Sequence, residues 1–430
     1  MSQNDHPASP RRSNILAVLA IAIAVLAVVL LRQTDHDSSR AQPADAPSAG
    51  QDADSKRAAQ ISGVLSGLTK AWTDRDRTAF LGRAGSTDAS RQWSGQTYAS
   101  LAALPVDSFT ARLVTEDPAG LGADGTFEAE VEIGWTPAPS SGMAPGGSAQ
   151  STVNLILRPS TGGYDVEGAA AAGGPMPVWL TGALEVDRTA TTTVIRVDRP
   201  DAEGSADAER LDRTIAEGVR DVRRVVGKTT RKATIVLPSS AAQAAQLLGQ
   251  PVTELSQIAA VTATVDGRVT SRSPVYVVVN PPVFAGLDTR GSQVVISHEL
   301  THAFTDVTTT DLPLWIVEGF ADYVALRGEN TPVRKSAAQI LEQVRDDGVP
   351  KTLPGTKEFG SSQHGLGATY ESAWLIFQML GKRYDNDAVV DFYGSARLGT
   401  EVDQALRRSF GLDQEALTRA WRTYLRNLAR

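Results

Sequence analysis

Two of the five histidines, His298 and His302, stand four residues apart in the segment VVISHELTHAF, and Glu299 follows the first directly. Residues four apart on a helix lie on one face, one turn apart, so both imidazoles can reach a common ion. Glu299 lies one position round the helix, beside that ion, where a carboxylate can act as a base. A pair of exposed histidines is the alternative, but the neighbouring residues are mostly apolar, and burying two histidines without a ligand is costly. The spacing therefore favours a metal site.

A candidate third ligand lies in the segment LPLWIVEGFADYVAL. Glu318 is embedded among apolar residues, and Asp322 follows at helical spacing on the same face. Catalytic zinc takes three protein ligands and keeps one position open, so Glu318 is expected to complete the set, although a solvent-facing carboxylate is the alternative. Asp322 is expected to accept the N–H of one ligand histidine and fix its tautomer. One zinc ion per chain is the expected cofactor, while cobalt, nickel and copper suit the same ligands.

The composition narrows the choice of chemistry and partner. The chain has 430 residues, 41% of them hydrophobic, which indicates a globular protein of two or three domains. It has no cysteine, so a metal site must be built from His, Asp and Glu, and a cysteine nucleophile is excluded. The formal net charge of −7 gives no reason to expect a nucleic-acid partner, since backbone binding needs a basic surface. The oligomeric state is not indicated by the sequence.

The order of these motifs resembles that of the gluzincin metallopeptidases, in which two histidines of HExxH and a glutamate from a following helix hold zinc. Here HELTH is followed by WIVEGFADY. Glu318 and Asp322 match the thermolysin-like pattern, and the Trp-x-x-Glu-Gly-Phe-Ala run is similar to the aminopeptidase branch. The likeness covers roughly Thr189 to the C-terminus and is greatest to the peptidase MA-like family of bacterial membrane-anchored proteins. It implies a peptide or protein substrate and hydrolysis with Glu299 as general base.

Two more residues are candidates for the site. The segment ATYESAWLIFQMLGKRY resembles the aminopeptidase segment whose tyrosine stabilises the oxyanion, which gives Tyr370 that role; a tyrosine packed in the core is the alternative. His364, in the preceding loop, could donate to a substrate carbonyl, although loop histidines commonly face solvent. The aminopeptidase motif Gly-x-Met-Glu-Asn is missing before HELTH, where the nearest stretch, IAAVTATVDG, has no glutamate. Exopeptidase specificity is therefore not implied.

The N-terminal sequence predicts a membrane anchor. Uninterrupted apolar residues from Ile15 to Leu31 would form a helix of roughly 25 Å, and flanking arginines could extend its reach across a ~30 Å core. Residues 1–14 would then be cytoplasmic, 15–31 a single-pass signal anchor in the cell membrane, and the C-terminal domains extracytoplasmic. A cleaved signal peptide and a twin-arginine export signal are alternatives. The Ala/Asp/Ser/Pro-rich residues 32–56 read as a flexible linker.

The remaining chain predicts an α+β fold in two parts. Residues 57–178 have helical periodicity followed by period-two segments, which favours an α+β accessory domain that resembles the ketosteroid-isomerase-like domains. Residues 185–430 alternate strands and helices before the HELTH segment and are almost wholly helical after it. This second part is expected to be a metallopeptidase domain of thermolysin/aminopeptidase type, with a small sheet and a mainly helical C-terminal part.

The expected function is zinc-dependent hydrolysis of peptide bonds. An extended peptide could pair with the strand SPVYVVVNP or with the edge beside it. One alternative is a zinc-bearing scaffold or sensor that binds a cell-envelope partner without hydrolysis. In another alternative, the N-terminal module is the functional part, a surface sensor, and the zinc domain only supports it. Glu299 favours hydrolysis, because a purely structural zinc site has no use for a base beside the metal.

Overall fold

The first described part of the chain is three helices followed by an antiparallel sheet. The sheet has the order β1-β2-β3-β4, with each strand antiparallel to the next. The helices are α1 (Ala49–Thr73), α2 (Arg77–Leu81) and α3 (Asp88–Ala103), and the strands are β1 (Val106–Glu116), β2 (Phe127–Pro137), β3 (Ala149–Ser160) and β4 (Gly163–Ala171). The computed structural model describes residues 49–430 except 117–121, 123–124, 142–146, 199–205, 228–230, 271–272, 307–309, 329–330 and 361–364.

The alternation of residue types along these strands explains why one face of this sheet is covered. In β2, Phe127, Val131 and Trp135 are buried, while Glu128 and Glu130 alternate with them on the other face. Successive side chains in a strand point to opposite faces, so the apolar set meets the helices. The order of helices and strands expected for residues 57–178 is observed, with α1 already beginning at Ala49, inside the expected linker.

A second, five-stranded sheet follows, with the order β5-β6-β7-β9-β8. The strands β6, β7 and β9 are parallel, whereas β5 and β8 run antiparallel to their neighbours at the two edges. Its elements are β5 (Leu184–Arg188), β6 (Thr192–Val197), α4 (Ala206–Val226), β7 (Ala233–Leu237), α5 (Ala241–Leu248), β8 (Ala260–Thr264) and β9 (Val275–Val279). The helix α4 therefore connects two parallel strands, as parallel pairing requires.

Both faces of the second sheet are buried. Val277 and Val279 of β9 belong to the core formed with the C-terminal helices, whereas Tyr276 and Val278 belong to the core shared with the first sheet. Trp135 of β2 packs edge-to-face on Trp179, in the segment that connects the two sheets, with the ring centroids 4.8 Å apart, and both rings belong to the core that residues of the second sheet share. The two sheets thus share one continuous hydrophobic core.

The described residues that follow β9 are mainly helical, and they pack on the face of the second sheet that α4 also covers. The two central helices of this part are those that carry the candidate ligands, and they lie against each other. The elements are α6 (Pro281–Ala285), α7 (Thr289–Thr305), α8 (Leu314–Leu326), α9 (Val333–Ser336), α10 (Ala338–Asp347), α11 (Leu366–Arg383), α12 (Asn386–Arg397), α13 (Val402–Phe410) and α14 (Gln414–Ala429).

The expected α+β class needs correction. The structure is mixed α/β with two sheets, because the crossovers from β6 to β7 and from β7 to β9 give parallel pairings that the sequence pattern did not reveal. Local periodicity identifies a strand but not its neighbour or its direction.

The expected transmembrane anchor is also corrected, and with it the cell-membrane localisation and the extracytoplasmic placement of the C-terminal domains. Among the residues that the structure describes, no helix is both long enough and apolar enough to cross a bilayer. The almost wholly apolar α8 has 13 residues, roughly 20 Å against a hydrocarbon core of ~30 Å. The segment 15–31, on which the expectation rested, lies outside the described residues.

A close approach of α8 and α11 gives the first testable prediction. A Cβ on Gly319 would lie 2.6 Å from the carbonyl oxygen of Ala373 and 2.9 Å from the ring of Phe377. Because the backbone oxygen cannot move aside alone, Gly319→Ala should destabilise the protein by about 1–3 kcal/mol, measured by urea unfolding.

The matched control for this prediction is Gly394→Ala on α12. A Cβ there meets no atom within 4 Å, so the change should be neutral or stabilising by up to about 1 kcal/mol, since alanine is the better helix former. Equal effects of the two substitutions would contradict the close packing of α8 on α11.

Candidate metal centre

The two histidines of the site are held by α7. Asp288 caps the start of this helix by accepting a hydrogen bond from the backbone N–H of Gly291 at 2.7 Å. His298 and His302 are 2% and 3% exposed, and their Nε2 atoms face each other at 2.9 Å. Since both rings turn the same nitrogen toward one point, the helix presents two donor atoms to a single ion.

The helix α8 brings a carboxylate to the same point. Glu318 is 2% exposed, and its Oε2 lies 3.2 Å from Nε2 of His298 and 3.6 Å from Nε2 of His302. The three donor atoms lie within 4.8 Å of one another. The structure thus joins side chains from two helices that are separated by a loop in the sequence.

The cluster is compatible with zinc. Two imidazole nitrogens and one carboxylate oxygen are the donor set of many catalytic zinc sites. Buried polar atoms remain without a hydrogen-bond partner here, namely Nδ1 of His302, Oε1 of Glu318 and Oδ2 of Asp322. Buried carboxylates are normally paired or bound to a metal, and a divalent cation would balance Glu318 and Asp322.

Asp322 lies one turn after Glu318 and orients the first histidine. It is fully buried, and Nδ1–H of His298 donates to its Oδ1 at 2.9 Å. This hydrogen bond fixes Nδ1 of His298 as a donor and turns Nε2 toward the cluster, where a bound cation would take the place of its proton. Burial alone lowers the pKa of His298, but the hydrogen bond and charge of Asp322, with those of Glu318, raise it well above the usual value.

Asp322→Asn is expected to weaken zinc binding by about tenfold, and Asp322→Ala by up to about 100-fold. The reason is that the amide is a poorer acceptor for the His298 N–H, and alanine accepts nothing. Competition with a fluorescent chelator measures both affinities. Asp347→Asn, an exposed change at the end of α10, is the control. Unchanged affinity in the alanine variant would contradict this role for Asp322.

Glu299 lies beside the cluster but is not one of the three donors. It is 5% exposed, and the hydroxyl of Thr262 donates to its Oε2 at 2.7 Å. Burial raises the pKa of Glu299, while the two histidines and the Thr262 hydrogen bond oppose the rise. Thr262 was not identified from the sequence, because it lies on β8, and only the packing of β8 against α7 brings it close.

Glu318 is charged in this environment. Its burial works toward a higher pKa, but the neighbouring imidazoles, above all His302, bring the pKa of Glu318 down to about 2. The pKa of Glu318 is therefore lowered, whereas the pKa of Glu299 is raised. Such a pair suits one carboxylate for binding a cation and the other for exchanging a proton.

Tyr370 is the fifth residue of α11 and is buried at 3% exposure. Its ring meets that of Phe359 edge-to-face, with the centroids 5.1 Å apart. Burial, with the charges of Glu318, Asp322 and Glu299, raises the pKa of Tyr370 well above its usual value. The phenol therefore keeps its proton and can donate it in a hydrogen bond. His364 lies outside the described residues.

A buried carboxylate next to Tyr370 gives a pH-dependent prediction. Glu371 accepts the N–H of Ile340 at 2.8 Å and the side-chain amide of Gln339 at 3.2 Å. Burial raises the pKa of Glu371 from 4.5 to about 7, despite these hydrogen bonds. The folded state thus favours the protonated acid, and the stability this provides is complete below about pH 4.5 and lost as the pH rises through about 7.

Glu371→Gln should remove this loss. Relative to the unsubstituted protein, the variant is expected to gain stability on the order of 3 kcal/mol between about pH 5 and about pH 8. Urea unfolding of both proteins at the two pH values measures the difference. Asp346→Asn, an exposed substitution on α10, should leave it unchanged. The same pH slope in Glu371→Gln as in the original protein would contradict the raised pKa.

Comparison with known proteins gives a distant structural likeness. No family model matches the chain, and no curated protein matches its sequence. Among solved structures, a point mutant of an M1 zinc metallopeptidase from Deinococcus radiodurans aligns over 73% of this chain and 61% of its own, with 13% identity and a TM-score of 0.34. The unmutated enzyme aligns over 73% and 60%, with 12% identity and a TM-score of 0.33. The chain therefore spans less than two thirds of those proteins. At this similarity the comparison assigns neither a family nor an activity.

Proposed function

We propose that the protein is a zinc-dependent peptidase that hydrolyses peptide bonds in peptides or proteins. The observation that carries this proposal is a fourth buried residue beside the donor set. His298, His302 and Glu318 converge on one point, and Glu299 lies next to them with its carboxylate oriented by Thr262. A structural zinc site needs closed coordination and no base, whereas hydrolysis needs an open position and a base.

The roles of the residues follow from their surroundings. When bound, zinc supplies Lewis acidity that polarises a substrate carbonyl and acidifies water. The hydroxyl of Thr262 donates a hydrogen bond to Oε2 of Glu299. The other oxygen can then take the proton of the attacking water and pass it to the leaving amine. The raised pKa of Glu299 helps the first transfer, because a more basic carboxylate takes the proton of water more readily.

Tyr370 is the proposed electrophilic partner. Burial, together with the carboxylates around it, raises the pKa of its phenol and keeps it protonated. A donor fixed in a dry site stabilises the negative charge that develops on the substrate oxygen more strongly than water does. This role depends on the phenol O–H. Tyr370→Phe would therefore keep the packing against Phe359 but lose the hydrogen bond to the substrate oxygen.

The edge strand β8 is the proposed docking place for the substrate backbone. The segment SPVYVVVNP contains β9, which already pairs with a strand on each side. A substrate strand can therefore pair only with the neighbouring edge strand, β8. The carbonyl of Ala259 and the N–H of Val265 bond toward β9. By strand alternation, the main-chain groups of Ala260 and Thr262 then point away from β9, and the side chain of Thr262 contacts Glu299. An extended peptide added there would bring a scissile bond close to the base.

Hydrolysis of a quenched peptide library by the purified chain tests the proposal, with bound zinc quantified by mass spectrometry. We expect one zinc per chain and cleavage that stops on chelation and returns with zinc. One bound zinc without cleavage would favour the scaffold alternative. Failure to bind zinc would overturn the proposal.

A further inference from the structure

A basic groove lies at the start of α8. It has a volume of about 570 Å³ and lies between the N-terminus of α8, the loop 351–356 and the first half of α14. We call it the basic groove because it is lined by Lys351, Arg419 and Arg422, with Glu415 as its acidic residue. Its apolar surface comes from residues such as Leu314 and Leu353.

The basic groove and the candidate metal centre share the helix α8. Leu314, in its wall, lies one turn before Glu318 on the same face of α8. On the other side, the segment that follows the loop 351–356 ends at Phe359, whose ring contacts Tyr370. A peptide bound across Glu318 and Tyr370 therefore has the basic groove within reach of the residues that flank its scissile bond.

The charge of the groove is only partly compensated. Arg419 forms an ion pair with Glu415, which leaves two cations, Lys351 and Arg422, without an ion-pair partner among the described residues. The Nε of Arg422 is buried and has no hydrogen-bond partner. The start of α8 contributes in the same direction, because its first turn has no acidic residue and its N-cap, Pro313, provides no side-chain hydrogen bond.

We propose that the basic groove binds acidic side chains of the substrate, so that the protein selects peptides with Asp or Glu on one side of the cleaved bond. This inference rests on the proposed peptidase function. The groove offers an anion two uncompensated cations and a helix N-terminus beside an apolar wall, which suits a carboxylate on a short side chain.

The test separates binding from hydrolysis. Two peptides of equal length are compared, one with Asp and Glu flanking the central bond and one with Asn and Gln at the same places. Their affinities for the full chain carrying Glu299→Gln are measured by calorimetry, so no turnover is needed. We expect the acidic peptide to bind about fivefold to tenfold more tightly, and the difference to shrink in about 0.5 M salt.

Matched variants locate the preference. In the Glu299→Gln background, the double variant Lys351→Gln with Arg422→Gln should abolish the preference for the acidic peptide. Lys351→Gln alone should reduce the preference. Because Lys351 is exposed, this single variant tests the groove even if replacing the half-buried Arg422 unfolds the protein. Glu415→Gln should increase the preference, since it removes the only carboxylate of the lining. Arg213→Gln, on α4 with a 70% exposed side chain, should leave it unchanged.

Equal binding of the two peptides would overturn the inference. So would a preference for the acidic peptide that is unchanged both in Lys351→Gln and in the double variant. Mass spectrometry of products from the unsubstituted protein then shows on which side of the cleaved bond the acidic residues lie. Preferential binding without any hydrolysis would support the basic groove while contradicting the peptidase proposal. Hydrolysis without a preference for the acidic peptide would support the peptidase proposal and contradict the role of the basic groove.

Discussion

Glu299→Gln is expected to lower kcat by about 10³-fold, and to leave the bound zinc in place. Glu299 is not one of the three donor atoms of the cluster, so its replacement removes the base and not the metal. The substitution keeps the size of the side chain, and the amide oxygen can still accept the hydroxyl of Thr262. Cleavage rate per zinc-loaded chain is the measurement, with the metal content determined on the same sample.

Two comparisons make this result specific. Glu342→Gln, an exposed change on α10, should retain full activity. Folding stability should be unchanged or slightly higher in Glu299→Gln, because a buried carboxyl group is replaced by a neutral amide. A variant that keeps most of its activity would contradict the assignment of Glu299 as base, whereas a variant that loses zinc would show that Glu299 takes part in binding the metal.

Glu318→Ala should abolish both stoichiometric zinc binding and hydrolysis. The loss of affinity should exceed the 10–100-fold change typical of an outer hydrogen-bonding partner, because a ligand itself is removed. The substitution also leaves His298 and His302 as the remaining donors. Zinc that binds only the folded state stabilises it, by about 2.7 kcal/mol at 100 times Kd. Zinc should therefore raise the unfolding midpoint of the original protein and not that of the variant.

The control for the metal ligand is a carboxylate outside the site. Asp391 is exposed on α12, and Asp391→Ala should keep both the zinc stoichiometry and the zinc-dependent rise in the unfolding midpoint. Tight zinc binding by Glu318→Ala, at one ion per chain, would show that the ion is held by other residues and would contradict the site described above.

The helices that carry the candidate metal ligands were predictable because their sequence signals are local. The spacing of His298 and His302 defines one helix face, and Glu318 and Asp322 define another, through the 3.6-residue period alone. Apolar residues at helical spacing likewise predict a helix from Gln414 and one over residues 207–226, and the structure contains both, as α14 and α4. The segment 15–31, predicted as an anchor from an uninterrupted apolar run, lies outside the described residues.

The sequence by itself determined which residues could bind a metal, since residue type and helical spacing suffice for that. Only the tertiary structure decided that Oε2 of Glu318 lies 3.2 Å from His298, that Thr262 orients Glu299, and that β8 is the edge of the sheet. It also decided that the loop 351–356 and α14 meet α8 to form the basic groove. These relations join residues far apart in the chain, and they depend on how the helices and strands pack rather than on the periodicity within any one of them.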